Sequence, residues 1–350
     1  MMKKSRILVT GAKGFVGTEI VRSLELKYEQ IFTVENKKKS SNDKSAKKSE
    51  RVFAVDITDR DAVLRLAKMG SLDAVIHSAG LAHQFGETGR DAFQKVNVKG
   101  TGNILELSRI LNVKHFILIS SVAVYGHSQR RVKNENEIDT FRGIGEDAVC
   151  QPEDFYGESK LDGENLARRY CEDHKIRLTI MRLATVVGEE DKGNFLKLIR
   201  SIDQRRFAWI GKGANYKSLL HREDVARACL SVLESEGTET EVFNVSTNFL
   251  TMREIVEIVS AKLKKKIPRA FIPALFVNQF FRLVHIFPIK SRLVNTGNWG
   301  KLKRLEKTVS KWLADDVYAA EKIKRKTGFE PQISAEKAVE REVVWYLAGK

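Results

Sequence analysis

At 350 residues the chain is too long for one small core and suits a large α/β domain with an appended lobe. Sixty-one Lys and Arg stand against 45 Asp and Glu, a formal charge of +16, which favours an anionic partner such as a nucleotide, a phosphate or a membrane surface without choosing among them. Three cysteines (Cys150, Cys171, Cys229), odd in number and without CxxC spacing, argue against a disulfide framework and a metal site, so a reducing, cytoplasmic setting is expected. The opening MMKKSRILVTG is too short in apolar residues for a secretory leader, and no run reaches the roughly 18 apolar residues of a membrane span.

RILVT, IFTVE, RVFAVD, DAVIHSA, KHFILISS and RLTIMRL read as successive strands separated by helix-period stretches, the pattern of a parallel sheet with helices on both faces. After the first strand comes TGAKGFVG (10–17), in the strand-then-helix context that gives a glycine motif meaning. Gly11 permits a tight turn, Gly14 lets backbone approach a pyrophosphate, and Gly17 allows close packing of helix on sheet. Glu35 ends the second strand, where a carboxylate accepts hydrogen bonds from the adenosine ribose and repels a 2′-phosphate, favouring NAD over NADP. Lys37, Lys38 and Lys39 follow at once, opening a polar, Lys-rich stretch read as a solvated loop. Asp56 and Ile57 follow the third strand.

The fifth strand runs into SSVAVYG (120–126), and YGESK (156–160) sets Tyr156 and Lys160 one helical turn apart on one face. An ammonium and an oxidised nicotinamide nearby lower a phenol from its usual pKa near ~10 toward that of a usable base. These motifs, in this order, resemble the extended short-chain dehydrogenase/reductase superfamily. The run from VIHSAGLAHQF through HFILISSVAVYG to YGESK resembles sugar 4-epimerases of the UDP-galactose type, in the NAD-dependent epimerase/dehydratase family.

The resemblance implies a Rossmann-type doubly wound parallel sheet. An NAD-binding domain is expected over 1–185, with some later segments returning to it, and a smaller, mainly substrate-binding α/β lobe over 186–350. It implies cofactor contacts from Gly11, Gly14, Phe15, Val16, Gly17, Glu35, Asp56, Ile57, Ser78, Ala79, Gly80, Ser120, Tyr156 and Lys160. Tyr156 would be the base, Lys160 would lower its pKa and hold the ribose, and Ser121 would orient the substrate hydroxyl. Asn97 would serve a chiefly structural role, while Asn194 and His83 would meet the substrate. Arg182 and Asp224 would organise the lobe interface or, equally, join strand to helix by a salt bridge. Helices near 87–111 and 155–174 resemble those that pair in the family's homodimers.

The two residues after Ser121 narrow the chemistry. Dehydrating relatives carry an Asp-Glu pair there, to remove one proton and protonate a leaving hydroxyl; this chain has Val122 and Ala123. The glutamate of decarboxylating relatives and the extra Cys and His bases of 3,5-epimerases are also absent beside Ser121. A 4-epimerase, a 4-keto-sugar reductase and a steroid-dehydrogenase-like hydroxyl oxidoreductase remain. KGNFLKLI, GKGANYKSLLHREDVA and KKIP resemble epimerases and reductases of surface-polysaccharide pathways, some of which act on N-acetylhexosamine carried by a nucleotide or by undecaprenyl diphosphate. The arginine and aspartate that grip uridine diphosphate are not legible around 290–315, and Ala82 replaces a lysine of closer hexose epimerases.

The segment 270–288 is apolar but interrupted by Pro273, Asn278, Gln279, Arg282 and His285. A helix from Ala274 amid basic residues suits peripheral contact with an anionic membrane; a buried lobe helix with solvated lysines around it suits the same residues. Nucleic-acid binding is not expected, since the basic residues lack interleaved aromatics in a recognised module.

Overall fold

The structure, a computed structural model, describes residues 3–36, 51–82, 89–126, 143–285 and 313–350, together with positions 300, 302, 306, 309 and 310. Seven parallel strands form the central sheet: β1 (Lys3–Thr10), β2 (Tyr28–Glu35), β3 (Val52–Ala54), β4 (Ala74–His77), β5 (His115–Ser121), β6 (Arg177–Leu183) and, after three strands that lie elsewhere, β10 (Glu241–Val245). Their spatial order is β3-β2-β1-β4-β5-β6-β10, so the winding reverses between β1 and β4. Ligands of such sheets sit at the carboxyl ends of the strands flanking that reversal.

The strands are near-continuous apolar runs because both faces are covered. Alternate residues of β1 separate cleanly. Ile7 and Val9 join Ile76, Ile117, Ile119, Met181 and Phe243 in one cluster, while Leu8 joins Val34, Val75, Phe116, Leu118 and Ile180 in the other. On the first face lie α1 (Phe15–Glu25), α7 (Arg222–Glu234) and α10 (Glu321–Thr327), contributing Ile20, Val225, Cys229, Val232 and Ile323. On the second lie α2 (Arg60–Leu64), α4 (Thr101–Ile110) and α5 (Phe155–Asp173), contributing Val63, Ile104, Leu105, Leu107, Ala167 and Cys171. Each such Leu, Ile or Val contributes about 1.5–3 kcal/mol on burial, before chain entropy is counted. The helix leading into α4 begins as α3 (Arg90–Phe93) and continues through a π-helical turn, Gln94–Gly100, that carries Asn97.

A second core builds the lobe. β7 (Thr185–Val187), β9 (Tyr216–His221) and β11 (Phe249–Thr251) form a three-stranded sheet, and β8 (Trp209–Ile210) pairs with β12 (Phe271–Ile272). Around them pack α6 (Asn194–Asp203), α8 (Met252–Lys262) and α11 (Ala335–Ala348), through Leu198, Ile199, Trp209, Ile255, Val259, Val339 and Val343. The remaining helix, α9, spans Ala274–Val284. Thr251 and Glu254 form a reciprocal capping box at the start of α8, and Asp154 caps α5 by accepting from Gly157 N at 2.7 Å.

A buried carboxyl fastens the last helix of the lobe to the end of its strand β7. Glu342 of α11 is fully buried and accepts from Gly188 N at 2.9 Å, beyond the end of β7. Burial, with Asp191 close by, pushes its pKa up to about 9. Between an unfolded-chain pKa near ~4.3 and that value, the folded state holds a proton that the unfolded chain releases, so this residue's contribution to stability falls as pH rises. His77 and His115, buried and pushed down to about 3, act in the opposite sense: stability falls as pH drops below their unfolded value near ~6.5. Glu342→Gln keeps the bond to Gly188 and removes the titration. Its melting temperature is expected to match the wild type at pH 5 and to exceed it increasingly toward pH 8; a gap independent of pH in thermal melts would refute this assignment.

Candidate active site

Three glycines shape the turn between β1 and α1. Gly11 has φ +71°, and a Cβ there would lie 2.7 Å from Ala79 N. A Cβ on Gly17 would lie 2.1 Å from Gly11 O, so the helix can approach the turn this closely only with glycine. Gly14 is the N-cap of α1 and supplies no capping side chain. The first-turn amides of a helix so begun suit a pyrophosphate. Phe15 and Val16 follow on the first turn, and the guanidinium of buried Arg222 lies 5.1 Å from the Phe15 ring centroid.

Around this cradle the expected nucleotide residues assemble at the strand ends. Glu35, 7% exposed, closes β2, and its Oε2 lies 3.1 Å from Nζ of Lys13, a loop residue that sequence reasoning passed over. Asp56 is exposed and accepts from Thr58 N at 2.9 Å, whereas Ile57 is buried against Gly100 and its carbonyl accepts from Asn103 Nδ2. Ser78, Ala79 and Gly80 follow β4, held from beneath by a polar relay. Ala79 N donates to Thr10 Oγ1, and Thr10 Oγ1 lies 2.7 Å from His77 Nδ1. On the other side His77 Nε2 lies 3.0 Å from Thr101 Oγ1, whose proton goes to Asn97 O. Thr101 therefore accepts from Nε2–H, and Thr10 donates to Nδ1, a neutral imidazole satisfied on both nitrogens. Asn97 also accepts from Leu81 N at 2.7 Å and donates to Ser159 Oγ at 2.9 Å, fastening the loop after β4 to α5.

The chemical residues converge where β5 meets α5. The Ser121 hydroxyl stands close enough to the Tyr156 phenol to favour its ionised form, and it accepts from Ala123 N at 3.2 Å. One turn further along α5, Lys160 donates from Nζ to Ile119 O at 2.6 Å, and a Cβ on Gly80 would lie 3.8 Å from the same nitrogen. Burial pushes the phenol's pKa up; the Ser121 hydroxyl opposes this and the Asp154 carboxylate adds to it. Burial also pushes Lys160 down to about 8, with Glu164 pulling it back. The phenol in this structure is thus protonated at neutral pH, and ionising it there calls for a further positive charge.

Ser120 has a different partner from the cofactor contact expected of it: its hydroxyl donates to Glu164 Oε1 at 2.6 Å. Glu164, fully buried on α5, also receives Arg182 Nη2 at 2.7 Å and Arg168 Nη2 at 3.1 Å. Arg182 Nη1 reaches the Tyr125 hydroxyl at 2.8 Å, which donates to Asn244 Oδ1 of β10. Arg182 therefore joins strand to helix by a salt bridge. Asp224 does a separate task, accepting from Gln332 N and Ile333 N and pairing with Arg227. Asn194 is exposed at the first position of α6, where Asp191 accepts from Gly193 N and Leu196 N. His83 and Lys37–Lys39 lie outside the described residues.

Residues 7–246 match the model of the NAD dependent epimerase/dehydratase family, and the chain belongs to that family. Among curated relatives, an undecaprenol-linked sugar epimerase of Escherichia coli O157:H7, N-acetyl-alpha-D-glucosaminyl-diphospho-ditrans,octacis-undecaprenol 4-epimerase, is 28% identical over 274 residues, 76% of this chain and 75% of the relative. The dTDP-D-glucose 4,6-dehydratase of Mus musculus is 29% identical over 257 residues, 70% of this chain and 68% of the relative. Among solved structures, the UDP-glucuronic acid 4-epimerase of Bacillus cereus, in complex with NAD, superposes with a TM-score of 0.72 at 20% identity, covering 98% of this chain and 99% of that one. The fold is thus the family's Rossmann-type sheet, and the family's cofactor, NAD, fits the cradle: bare helix amides stand at the phosphate end and a carboxylate closes β2.

The Lys13–Glu35 pair makes cofactor choice testable. Removing the carboxylate removes the group that repels a 2′-phosphate and keeps the Lys13 ammonium nearby. Glu35→Ser is expected to reduce the preference for NAD over NADP at least about tenfold by calorimetry. Lys13→Ser is expected to weaken NADP more than NAD; an unchanged affinity ratio in E35S would refute the role given to Glu35.

Proposed function

We propose that this protein is an NAD-dependent 4-epimerase of a diphosphate-linked sugar, N-acetylhexosamine in the first instance. The observation that carries the reading is the convergence of Ser121 at the end of β5 with Tyr156 and Lys160 one turn apart on α5, at a strand end where Val122 and Ala123 occupy the places of an acid and a base. Such a set handles one hydroxyl proton. The two positions after Ser121 offer no carboxylate with which to eliminate water.

Bound NAD supplies the hydride acceptor, and later the hydride donor, for C4 of the sugar. Glycines 11, 14 and 17 and the first turn of α1 hold its diphosphate, Glu35 its adenosine ribose, Asp56 and Ile57 its adenine, and Ser78, Ala79, Gly80 and Lys160 the segment nearer the chemistry. Ser121 hydrogen-bonds the C4 hydroxyl and passes its proton to Tyr156 as the carbonyl forms. Lys160 adds positive charge beneath the phenol. The keto-sugar turns its other face inward, and Tyr156 returns the proton to the oxygen of the opposite epimer. Asn194, at the start of α6, meets the diphosphate of the substrate. Support for a lipid carrier comes from the Escherichia coli relative, which is named for a sugar linked to undecaprenol. The reading includes a cytoplasmic homodimer paired through α4 and α5.

The test is incubation of purified protein, without added cofactor, with UDP-N-acetylglucosamine and separately with an undecaprenyl-diphosphate-linked analogue, the C4 epimer being followed by NMR. Epimer from either is expected, and Tyr156→Phe should lower turnover about a thousandfold with the melting temperature retained. No epimer from either substrate, combined with consumption of reduced cofactor when a 4-keto-sugar is supplied, would make the protein a 4-keto-sugar reductase instead.

A further inference from the structure

Of the fourteen large apolar side chains that stand exposed among the described residues, seven fall within 267–283: Ile267, Phe271, Ile272, Leu275, Phe276, Phe280 and Leu283. Phe271 and Ile272 are β12, and the last four belong to α9. With 3.6 residues per turn, Val277, Phe281 and Val284 share one stripe of α9, and Phe281 and Val284 are buried. Phe276 (64% exposed), Phe280 (51%) and Leu283 (55%) make a neighbouring stripe that nothing among the described residues covers. The apolar arc of this helix is therefore much wider than the part the lobe packs against. No described helix is long and apolar enough to cross a membrane, but a broad apolar arc with a polar edge at Gln279 and Arg282 suits a helix lying in the plane of an interface.

Charge selects the occupant. Between Glu257 and Glu306 the sequence carries eleven Lys or Arg and no Asp or Glu. Among these, Lys264, Lys266, Arg269 and Arg282 are exposed and form no ion pair among the described residues. A second copy seated on the patch would bring the same cations against themselves. A layer of anionic headgroups neutralises them, while the acyl boundary beneath receives Phe276, Phe280 and Leu283.

We propose that β12 and α9, with the flanking basic residues, dock this protein on the anionic surface of a lipid bilayer. The proposal rests on the epimerase reading only in naming a substrate that a lipid carries to that surface.

The experiment is co-sedimentation of the full chain with phosphatidylcholine vesicles and with vesicles containing about one-third phosphatidylglycerol, at about 0.1 M and about 0.5 M NaCl. Wild type is expected to pellet with the anionic vesicles at low salt and to be largely released at high salt. F276S/F280S/L283S, whose three side chains are exposed, is expected to keep its melting temperature and bind at least about tenfold more weakly. K264E/K266E/R269E is expected to lose the preference for anionic vesicles. Binding that is absent in the wild type, indifferent to lipid charge, or retained by the apolar triple variant would overturn the proposal. So would a dimeric wild type whose apolar variant is monomeric by light scattering, since the patch would then join two copies. Turnover of a soluble UDP-sugar is read separately and should be equal in wild type and F276S/F280S/L283S. Vesicle binding as described, with no turnover by either protein of the UDP-sugar or of the undecaprenyl-diphosphate-linked analogue, would sink the epimerase reading and leave the docking surface standing.

Discussion

The buried ion pair between Glu164 and Arg182 is the constraint on which the site depends. A carboxylate and a guanidinium withdrawn from water are tolerated only when every remaining lone pair and proton finds a partner, and here Ser120, Arg168, Tyr125 and Asn244 supply them. With Arg182 on β6, Ser120 on β5, Tyr125 in the turn after it, Asn244 behind Tyr125 on β10, and Glu164 and Arg168 on α5, the cluster ties three adjacent strands to the helix that carries Tyr156 and Lys160. Removing one member leaves a buried charge, at a cost of about 3–5 kcal/mol. The strand end bearing Ser121 and the helix bearing Tyr156 are thereby fixed against each other before any substrate arrives, as close placement of the two side chains requires.

The same burial sets the chemistry. Low dielectric raises the phenol's pKa and lowers that of the lysine, each toward its neutral form, so neither group is poised by its immediate surroundings alone. His77 belongs to this pattern. Held neutral by its two threonines and by the absence of water, it braces the loop after β4 without adding a competing positive charge beside Lys160. On the proposed mechanism the missing positive charge would come with oxidised nicotinamide, which would couple base strength to occupancy by the cofactor.

Much of this is legible in the chain, and unevenly so for physical reasons. The six early strands stand out because parallel strands buried on both faces are continuous apolar runs, and the glycine turn is legible because no other residue type survives at Gly11 and Gly17. Helical spacing puts Tyr156 and Lys160 on one face, and the resemblance in motif order is what singles them out. Arg182 suits an interface residue and a salt bridge equally on sequence alone, the second being its observed state. Less accessible are facts that depend on distant pairing. EVFNV gives no local sign that it extends the central sheet beside β6, because its register is decided by a neighbour about sixty residues earlier. Ser120 and Ser121 are adjacent and chemically alike; only the position of Glu164 makes one a network member and leaves the other to the phenol. Lys13 reads as an ordinary loop residue until β2 brings Glu35 within 3.1 Å of it.

The lobe joins the substrate end to the exposed apolar surface by packing rather than by a hinge. Phe195, Leu198 and Ile199 of α6 share a core with Trp209 of β8, and β8 is the strand on which Phe271 and Ile272 pair. The Trp209 indole also donates to Pro268 O at 2.8 Å, closing the turn that leads into β12. A close-packed core transmits orientation with little give, so a surface that seats β12 and α9 also orients the Asn194 end of α6. Elsewhere in the lobe Glu342 of α11 is held at Gly188 beyond β7, with Asp191 accepting from the start of α6 a few residues away. The start of α6 is therefore braced from two sides, by Asp191 beside the buried Glu342 carboxyl and by the apolar core it shares with β8.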